Sequence, residues 1–588
     1  MGSAGSSVSG AEGEVLDARL RVLAALATGS SEPAHRVSWA LPSARVMRII
    51  DRGAGPWVQV LLETDGSFEE PTALSPDIRI NGTCGSAVRT AYLRAKELPS
   101  LARLKGVKRV VPSTSFEPAL DLAAWHCWAQ REPGPAPLGA FGQGDSRVLI
   151  GFIDSGLDAA HPAFQGRVVG IWDQTLHGQG VSGADYGLWL QRPAELQLSL
   201  DESGHGTHVA GVAASADSTY RGMNPSAQLA MVKTGFTDAE ILDGARFLVD
   251  LGRQRGVPVV LNLSLGAHGG PHDGTGPLSR GLDALCGPGV AICCAAGNEG
   301  AADRHAALVV RGSVGLRFEL GSTVRGSYPS AHMLLWSSTA AGLVEVALED
   351  PTGRRSPFYA VRDPRLGAVS YSLGGMDLRL LNCVPHPGQQ KVVLDLEPLH
   401  RHSQSVGWKL WIRASEQAAG VPVDLWTVAP QVGEAARFSD YVQSEGTIGA
   451  PGDAQRVITV GAWSSRPWPP DGLQPAPAGH GTGVAGFSSR GPLRDLRTKP
   501  ELVAPGEWVV APLSRTAQIP KTHQVGSDHW AARGTSQATA VVSGWISLLL
   551  AQNPTLTPEQ VRQRLMDVAL RPQGASVHAW GAGLLRLR

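Results

Sequence analysis

A serine placed directly ahead of a long apolar helix is the first residue of this sequence that could do chemistry. The run Gly534-Thr-Ser-Gln-Ala-Thr-Ala leads into Val-Val-Ser-Gly-Trp-Ile-Ser-Leu-Leu-Leu-Ala, mostly apolar with small residues spaced through it, the pattern of a buried helix. Ser536 then falls where the first N–H groups of a helix have no intrahelical partner and the dipole is positive, so negative charge developing beside it would be stabilised. Gly534, without a Cβ, lets a substrate backbone approach. The competing reading is a plain helix cap, because Ser and Thr are preferred there anyway. The choice turns on whether the chain supplies a base, an acid to orient it and a second donor for an oxyanion.

Each has a candidate at the end of a regular element. Val-Leu-Ile-Gly-Phe-Ile runs into Asp154, and its unbroken apolar character suits a parallel strand covered on both faces. An acid at the C-terminal end of such a strand lies where open α/β sheets put their ligands. His205 opens a helix of small residues, Gly204-His-Gly-Thr-His-Val-Ala-Gly, whose glycines let neighbours come close to a base. A third apolar run, Val290-Ala-Ile-Cys-Cys-Ala-Ala-Gly, ends in Asn298, a side-chain amide donor. Further strands at 229–233 and 258–266 alternate with helices near 239–253 and 278–286, which argues for a wound parallel sheet.

With Asp154, His205, Asn298 and Ser536 in that order, the chain resembles the subtilisin-like serine proteases. His-Gly-Thr-His-Val-Ala-Gly, Ala-Ala-Gly-Asn-Glu-Gly and Gly-Thr-Ser-x-Ala-Thr carry the likeness, supported by Phe487-Ser-Ser-Arg-Gly-Pro and Leu502-Val-Ala-Pro-Gly. It implies a Ser536 nucleophile, a His205 base, Asp154 as orienter and an oxyanion hole containing Asn298. Leu263, Ser264, Leu265 and Gly266, with Ala295, Ala296 and Gly297, would grip the substrate and wall the S1 pocket, and Gly449 would lie at its base. No Asp or Glu stands at those positions, so a large apolar or uncharged P1 residue is expected, with Glu299 near the rim. Gln537 and Ala540 depart from the usual Met and Pro, and Asp-Ser-Gly replaces the commoner Asp-Thr-Gly. Gly479-His480-Gly-Thr-Gly imitates the histidine motif but has Gly483 where the second histidine belongs, so His480 is rejected as the base; His208 is expected to be structural.

The resemblance covers about half the chain. Before it, strands at 45–50 and 57–62, one or two helices over 88–104 and a strand at 107–111 form a small α+β unit similar to subtilase prodomains, which inhibit by laying a C-terminal tail through the active site. Within the later part, short alternating runs over 305–440 read as an antiparallel β-sandwich, its tryptophans expected in the core. The expected organisation is a poorly ordered segment 1–35, the prodomain-like unit 36–118, a catalytic domain 119–304 and 441–588 with a doubly wound parallel sheet, and an inserted β-sandwich 305–440. The alternatives are a non-catalytic relative and a zymogen locked by its N-terminal unit.

Lys plus Arg and Asp plus Glu number 52 each, so neither nucleic acid nor an anionic membrane is indicated as a partner. Protein or peptide substrates and the chain's own N-terminal unit, as an intramolecular inhibitor, are the expected partners. The six cysteines show no zinc spacing and read as buried thiols. No metal site or required cofactor is expected; structural Ca2+ rests on the family likeness alone. Residues 20–26 are apolar but follow acidic residues, which is not a secretory pattern, so a cytoplasmic location is expected, or a secreted one if the natural start is missing.

Overall fold

The computed structural model describes most of residues 49–586, with 119–144 and 465–482 the longest stretches outside the description, and only parts of 15–27 from the first 48 residues. The chain forms two compact units, 1–115 with 302–444, and 116–301 with 445–588.

The second unit is built on a ten-stranded sheet in the order 569–570, 584–585, 502–505, 458–463, 290–295, 259–263, 149–154, 228–233, 168–173, 188–190. Its pairs are parallel except for an antiparallel strand at each edge. Leu149–Asp154 is fully buried along its length, as an apolar strand covered on both faces must be. From it the order runs back through 228–233 to one edge and onward through 259–263 to the other. Asp154 therefore ends the strand at which the winding reverses, where open α/β sheets form a crevice.

Alternation along that strand divides the helices. Ile150 and Phe152 share a core with Val209, Ala213, Val542 and Ile546, from the helices His205–Ala214 and Thr535–Gln552. On the other face, a side chain at Gly151 would strike Leu248 of the helix Asp238–Arg255. The last long helix, Pro558–Val568, begins as its sequence predicts: Thr557 Oγ1 accepts from Gln560 N–H and the Gln560 side chain accepts from Thr557 N–H.

In the first unit, the sheet of 49–51, 56–64, 78–84, 88–94 and 107–112 is antiparallel where it pairs. Here the sequence reading needs correction: Val88–Arg94 is a strand between Pro56–Thr64 and Ile78–Cys84, and only Leu98–Ala102 is α-helical. Val88, Thr90 and Tyr92 alternate with Arg89, Ala91 and Leu93, and β-branched and aromatic residues at that spacing suit a pleated surface. Leu20, Leu23 and Ala24 are buried in this unit's core beside Val58, Leu93 and Leu98; the tip of 1–35 lies outside the described residues.

The segment between the two parts of the second unit forms a six-stranded and a four-stranded antiparallel sheet with a core of Phe318, Leu335, Val346, Trp408, Ile412 and Leu425. Trp408 lies in that core, whereas Trp336 and Trp426 are buried outside it. Cys84, Cys286, Cys293 and Cys294 are buried free thiols, and burial pushes the thiols of Cys286 and Cys293 up to about 12. No helix among the described residues is long and apolar enough to cross a membrane.

Candidate active site

Asp154 and His205 meet because two glycines let their segments touch. Gly204 precedes the histidine helix with φ of 78°, a left-handed conformation that favours glycine. A Cβ on Gly206 would lie 2.2 Å from the carbonyl oxygen of Gly156, so no other residue lets the helix start sit so close to the loop after Asp154. The result is a buried contact of 2.7 Å between His205 Nδ1 and Asp154 Oδ1. Asp154 Oδ1 also accepts the N–H of Ser155 at 2.7 Å. With Nδ1–H donated to the carboxylate, the neutral imidazole has its lone pair on Nε2, which has no hydrogen-bond partner within the described protein. Burial works against charging this imidazole, but the charge and hydrogen bond of Asp154, and then the charge of Asp201, outweigh it and hold the pKa above the ordinary 6.5.

Ser536 is the second residue of the helix Thr535–Gln552 and is fully buried. Its Oγ donates to the carbonyl of Ser264 at 3.3 Å, while Ser264 Oγ donates to the carbonyl of Ser536 at 3.2 Å. Its neighbours tie the helix start to the other site segments. Thr535 N–H and Oγ1–H donate to Asn298 Oδ1 at 3.0 and 3.1 Å. Gln537 Nε2 donates to His208 Nδ1 at 3.3 Å, within the first turn of the helix that His205 begins. Because Thr535 N–H can only donate, it fixes which end of the Asn298 amide is oxygen. The buried Nδ2 has no partner within the described protein.

The proposed substrate-gripping segments lie beside these groups. Leu265–Gly266 is a short strand, and Ala295 and Ala296 are almost fully buried at the end of the strand Val290–Ala295. A Cβ on Gly297 would meet Glu299 Oε2 at 2.4 Å, so the Glu299 carboxylate folds back beside Gly297. A Cβ on Gly449 would meet the Ala267 carbonyl at 2.2 Å, and Ala267 N–H donates to the carbonyl of Ala450 at 2.9 Å, which joins the segment holding Gly449 to the end of the 263–266 edge. Glu117–Pro118 pairs antiparallel with that same edge, Glu117 opposite Gly266 and Pro118 opposite Leu265.

His208 is wholly buried, its Nε2 donating to the carbonyl of Val509 at 2.8 Å and its ring edge-on to Trp530, and burial pushes its pKa down to about 3. It braces the helix and does not titrate with the site. His480 lies outside the described residues. The sequence reading missed Asp201, Ser155 and Thr535 as site residues. The signal for Asp201 was its place four residues before His205, at a helix start where a carboxylate serves as a cap. No group of three or more His, Cys, Asp or Glu side chains that could hold a metal occurs among the described residues.

The chain is similar to known proteins in keeping with this geometry. It is 36% identical over 140 residues to serine protease AprX of Bacillus subtilis, which covers 23% of this chain and 30% of that protein. It is 26% identical over 600 residues to the subtilisin-like protease SBT3.7 of Arabidopsis thaliana, covering 88% and 70% respectively. An uncharacterised Aquifex aeolicus protein is 36% identical over 134 residues, 21% of this chain and 58% of that one, so this similarity and that to AprX each span less than two thirds of the relative. The solved structure of the CspB protease of Clostridium perfringens shares the fold, with a TM-score of 0.64 and 24% identity over 77% of this chain and 94% of that one. A family model described as the subtilase family matches residues 145–346 and 435–583. That match takes in more than half of the sequence and all four candidate site residues, and on it the chain belongs to the subtilase family.

Proposed function

We propose that the protein is a serine endopeptidase in which Ser536 is the nucleophile, His205 the general base and Asp154 its orienting partner. Ser536 Oγ adds to a peptide carbonyl carbon as its proton passes to His205 Nε2. The imidazolium, stabilised by Asp154, then gives that proton to the departing amine as the C–N bond breaks. Water repeats the sequence on the resulting ester and releases the acid. The oxyanion of each tetrahedral intermediate takes hydrogen bonds from Asn298 Nδ2 and the backbone N–H of Ser536. The observation that carries this reading is the buried Asp154–His205 bond, which leaves the buried Nε2 without a partner while Gln537, next to Ser536, touches the same helix.

The substrate lies as an added strand along Leu263–Gly266 and Ala295–Gly297, with a large apolar or uncharged P1 side chain in the pocket above Gly449. The N-terminal unit is an intramolecular inhibitor. In support, Glu117–Pro118 occupies the Leu265–Gly266 edge in the antiparallel sense a substrate would take. Ser264, next along that edge, is the residue that Ser536 touches, so we place the first self-cleavage just after Pro118 in sequence.

One preparation tests both levels. Purified protein is incubated with a fluorophosphonate probe and, separately, with casein, and its own products are mapped by mass spectrometry. The expected result is labelling of Ser536, casein hydrolysis and a new N-terminus shortly after Pro118, all absent in Ser536→Ala. Casein hydrolysis surviving in Ser536→Ala would overturn the protease assignment. An uncut wild-type chain that turns over casein would overturn only the inhibitory role of the tail.

A further inference from the structure

A second buried carboxylate lies under the start of the histidine helix. Asp201 has no exposed surface; its Oδ1 accepts from Ser155 Oγ at 2.8 Å and Gly204 N–H at 2.9 Å, and its Oδ2 from Thr207 N–H at 2.8 Å and Thr207 Oγ1 at 2.6 Å. These donors fill the acceptor capacity of a carboxylate, and none is a cation. Ser155 passes the connection on: its Oγ accepts from Gly206 N–H at 3.0 Å, while its own N–H donates to Asp154 Oδ1 at 2.7 Å. Thr207 does the same from the helix side, its Oγ1 accepting from Asp158 N–H at 2.9 Å. Asp201 thus holds the loop that follows Asp154 and both flanks of His205 at once.

Burying a carboxylate without a counter-ion is costly, and a helix cap alone needs no such group, since a serine or threonine caps as well. We propose that Asp201 is a positioning carboxylate for His205: it locks the imidazole against Asp154 through Ser155, Gly204 and Thr207, and its negative charge helps stabilise the imidazolium formed as Ser536 attacks. The second half rests on the endopeptidase reading above; the first concerns the histidine alone.

The other charged or titratable groups around the pair are accounted for. Lys233, in register with Asp154 on the adjacent strand, is bound to the carbonyl of Leu200 and to Glu202. Asp158 takes the N–H of Arg515 at 3.0 Å, with the Arg515 guanidinium 3.7 Å away. His208 stays neutral. Burial, first, and the charge of Asp154 raise the pKa of Asp201, opposed by its bonds from Thr207 and Ser155.

The test compares Asp201 with Asp201→Asn, which keeps shape and loses charge. In the Ser536→Ala background, where no turnover is required, the His205 imidazole is titrated by NMR. The expected result is a fall in its pKa of about 0.5–1 unit, less than the 1–3 units typical of a directly contacting charge. In the active protein, kcat should fall about tenfold or more with KM within about twofold, and the acid limb of kcat/KM should move to lower pH by the same shift. An unmoved imidazole titration overturns the proposal whether or not the protein proves to be a protease, and absent hydrolysis by wild type counts against the protease reading alone. Should Asp201→Asn not fold, Ser155→Ala decides: it keeps the charge and removes one link, so a lower kcat at unchanged KM and unchanged acid limb supports positioning, and an unchanged kcat overturns it.

Discussion

At the scale of single residues, Asn298 illustrates how an amide becomes useful by being half committed. Its oxygen is held by Thr535, which sets the orientation of its nitrogen in advance, as the proposed oxyanion role requires. Asn298→Ala should lower kcat by about 10²–10³-fold with little change in KM, a magnitude known for the oxyanion asparagine of a subtilisin. Steady-state kinetics on a chromogenic peptide check it, and a loss confined to KM would mean that the amide binds ground state and transition state alike. The places of Asp154, His205 and Ser536 at the end of a strand and the starts of two helices, and of Asn298 three residues past a strand, were legible in the sequence because glycines and apolar runs mark those boundaries. Asp201 and Ser155 were not, since an aspartate before a helix or a serine after a strand has many bland explanations. What singles them out is which oxygen meets which N–H, and that is settled only by the tertiary approach of two segments 46 positions apart.

Elements set how closely those residues approach. Gly206 sits where helix and loop touch, and the 2.2 Å between an added Cβ and the Gly156 carbonyl is far inside any real contact, so one segment must move. Gly206→Ala should therefore cut kcat/KM by about 10²-fold, the usual cost of displacing a reacting group by an ångström. The measurement is kinetics together with thermal unfolding, and full activity in a folded variant would show that the tight approach is not needed. The strands of the wound sheet and their helices could be read from continuous apolar runs and small-residue helices, which have few other homes. Val88–Arg94 could not, because a seven-residue stretch with one Thr and one Tyr satisfies a helical and an alternating pattern about equally, and its two sheet neighbours decide between them. Short runs such as Trp408–Ala414 were readable as strands because Lys409 and Arg413 fall on one alternating set of places and Leu410 and Ile412 on the other.

For the molecule as a whole, the wholly buried His208 links pH to stability. Its folded pKa of about 3 lies below the 6.5 of an exposed imidazole, so between those values the unfolded chain binds a proton that the folded one refuses. Stability contributed this way is complete above pH 6.5 and is lost as pH falls, by up to about 1.4 kcal/mol per unit. Urea unfolding of Ser536→Ala protein, chosen to avoid self-digestion, should show a midpoint that drops from pH 6.5 to 5, and adding His208→Gln should flatten part of that slope. An identical slope in the two proteins would place the pH sensitivity elsewhere. The spread of the site along the sequence has a further outcome. Residues 154, 205 and 298 leave the ribosome well before 536, with the whole sandwich still to be made in between, and the helix that begins at Thr535 packs into the middle of the sheet's core. On the reading proposed above, a nascent chain carries Asp154, His205 and Asn298 without their nucleophile, and it is unable to cut its neighbours or itself until translation has passed Ser536.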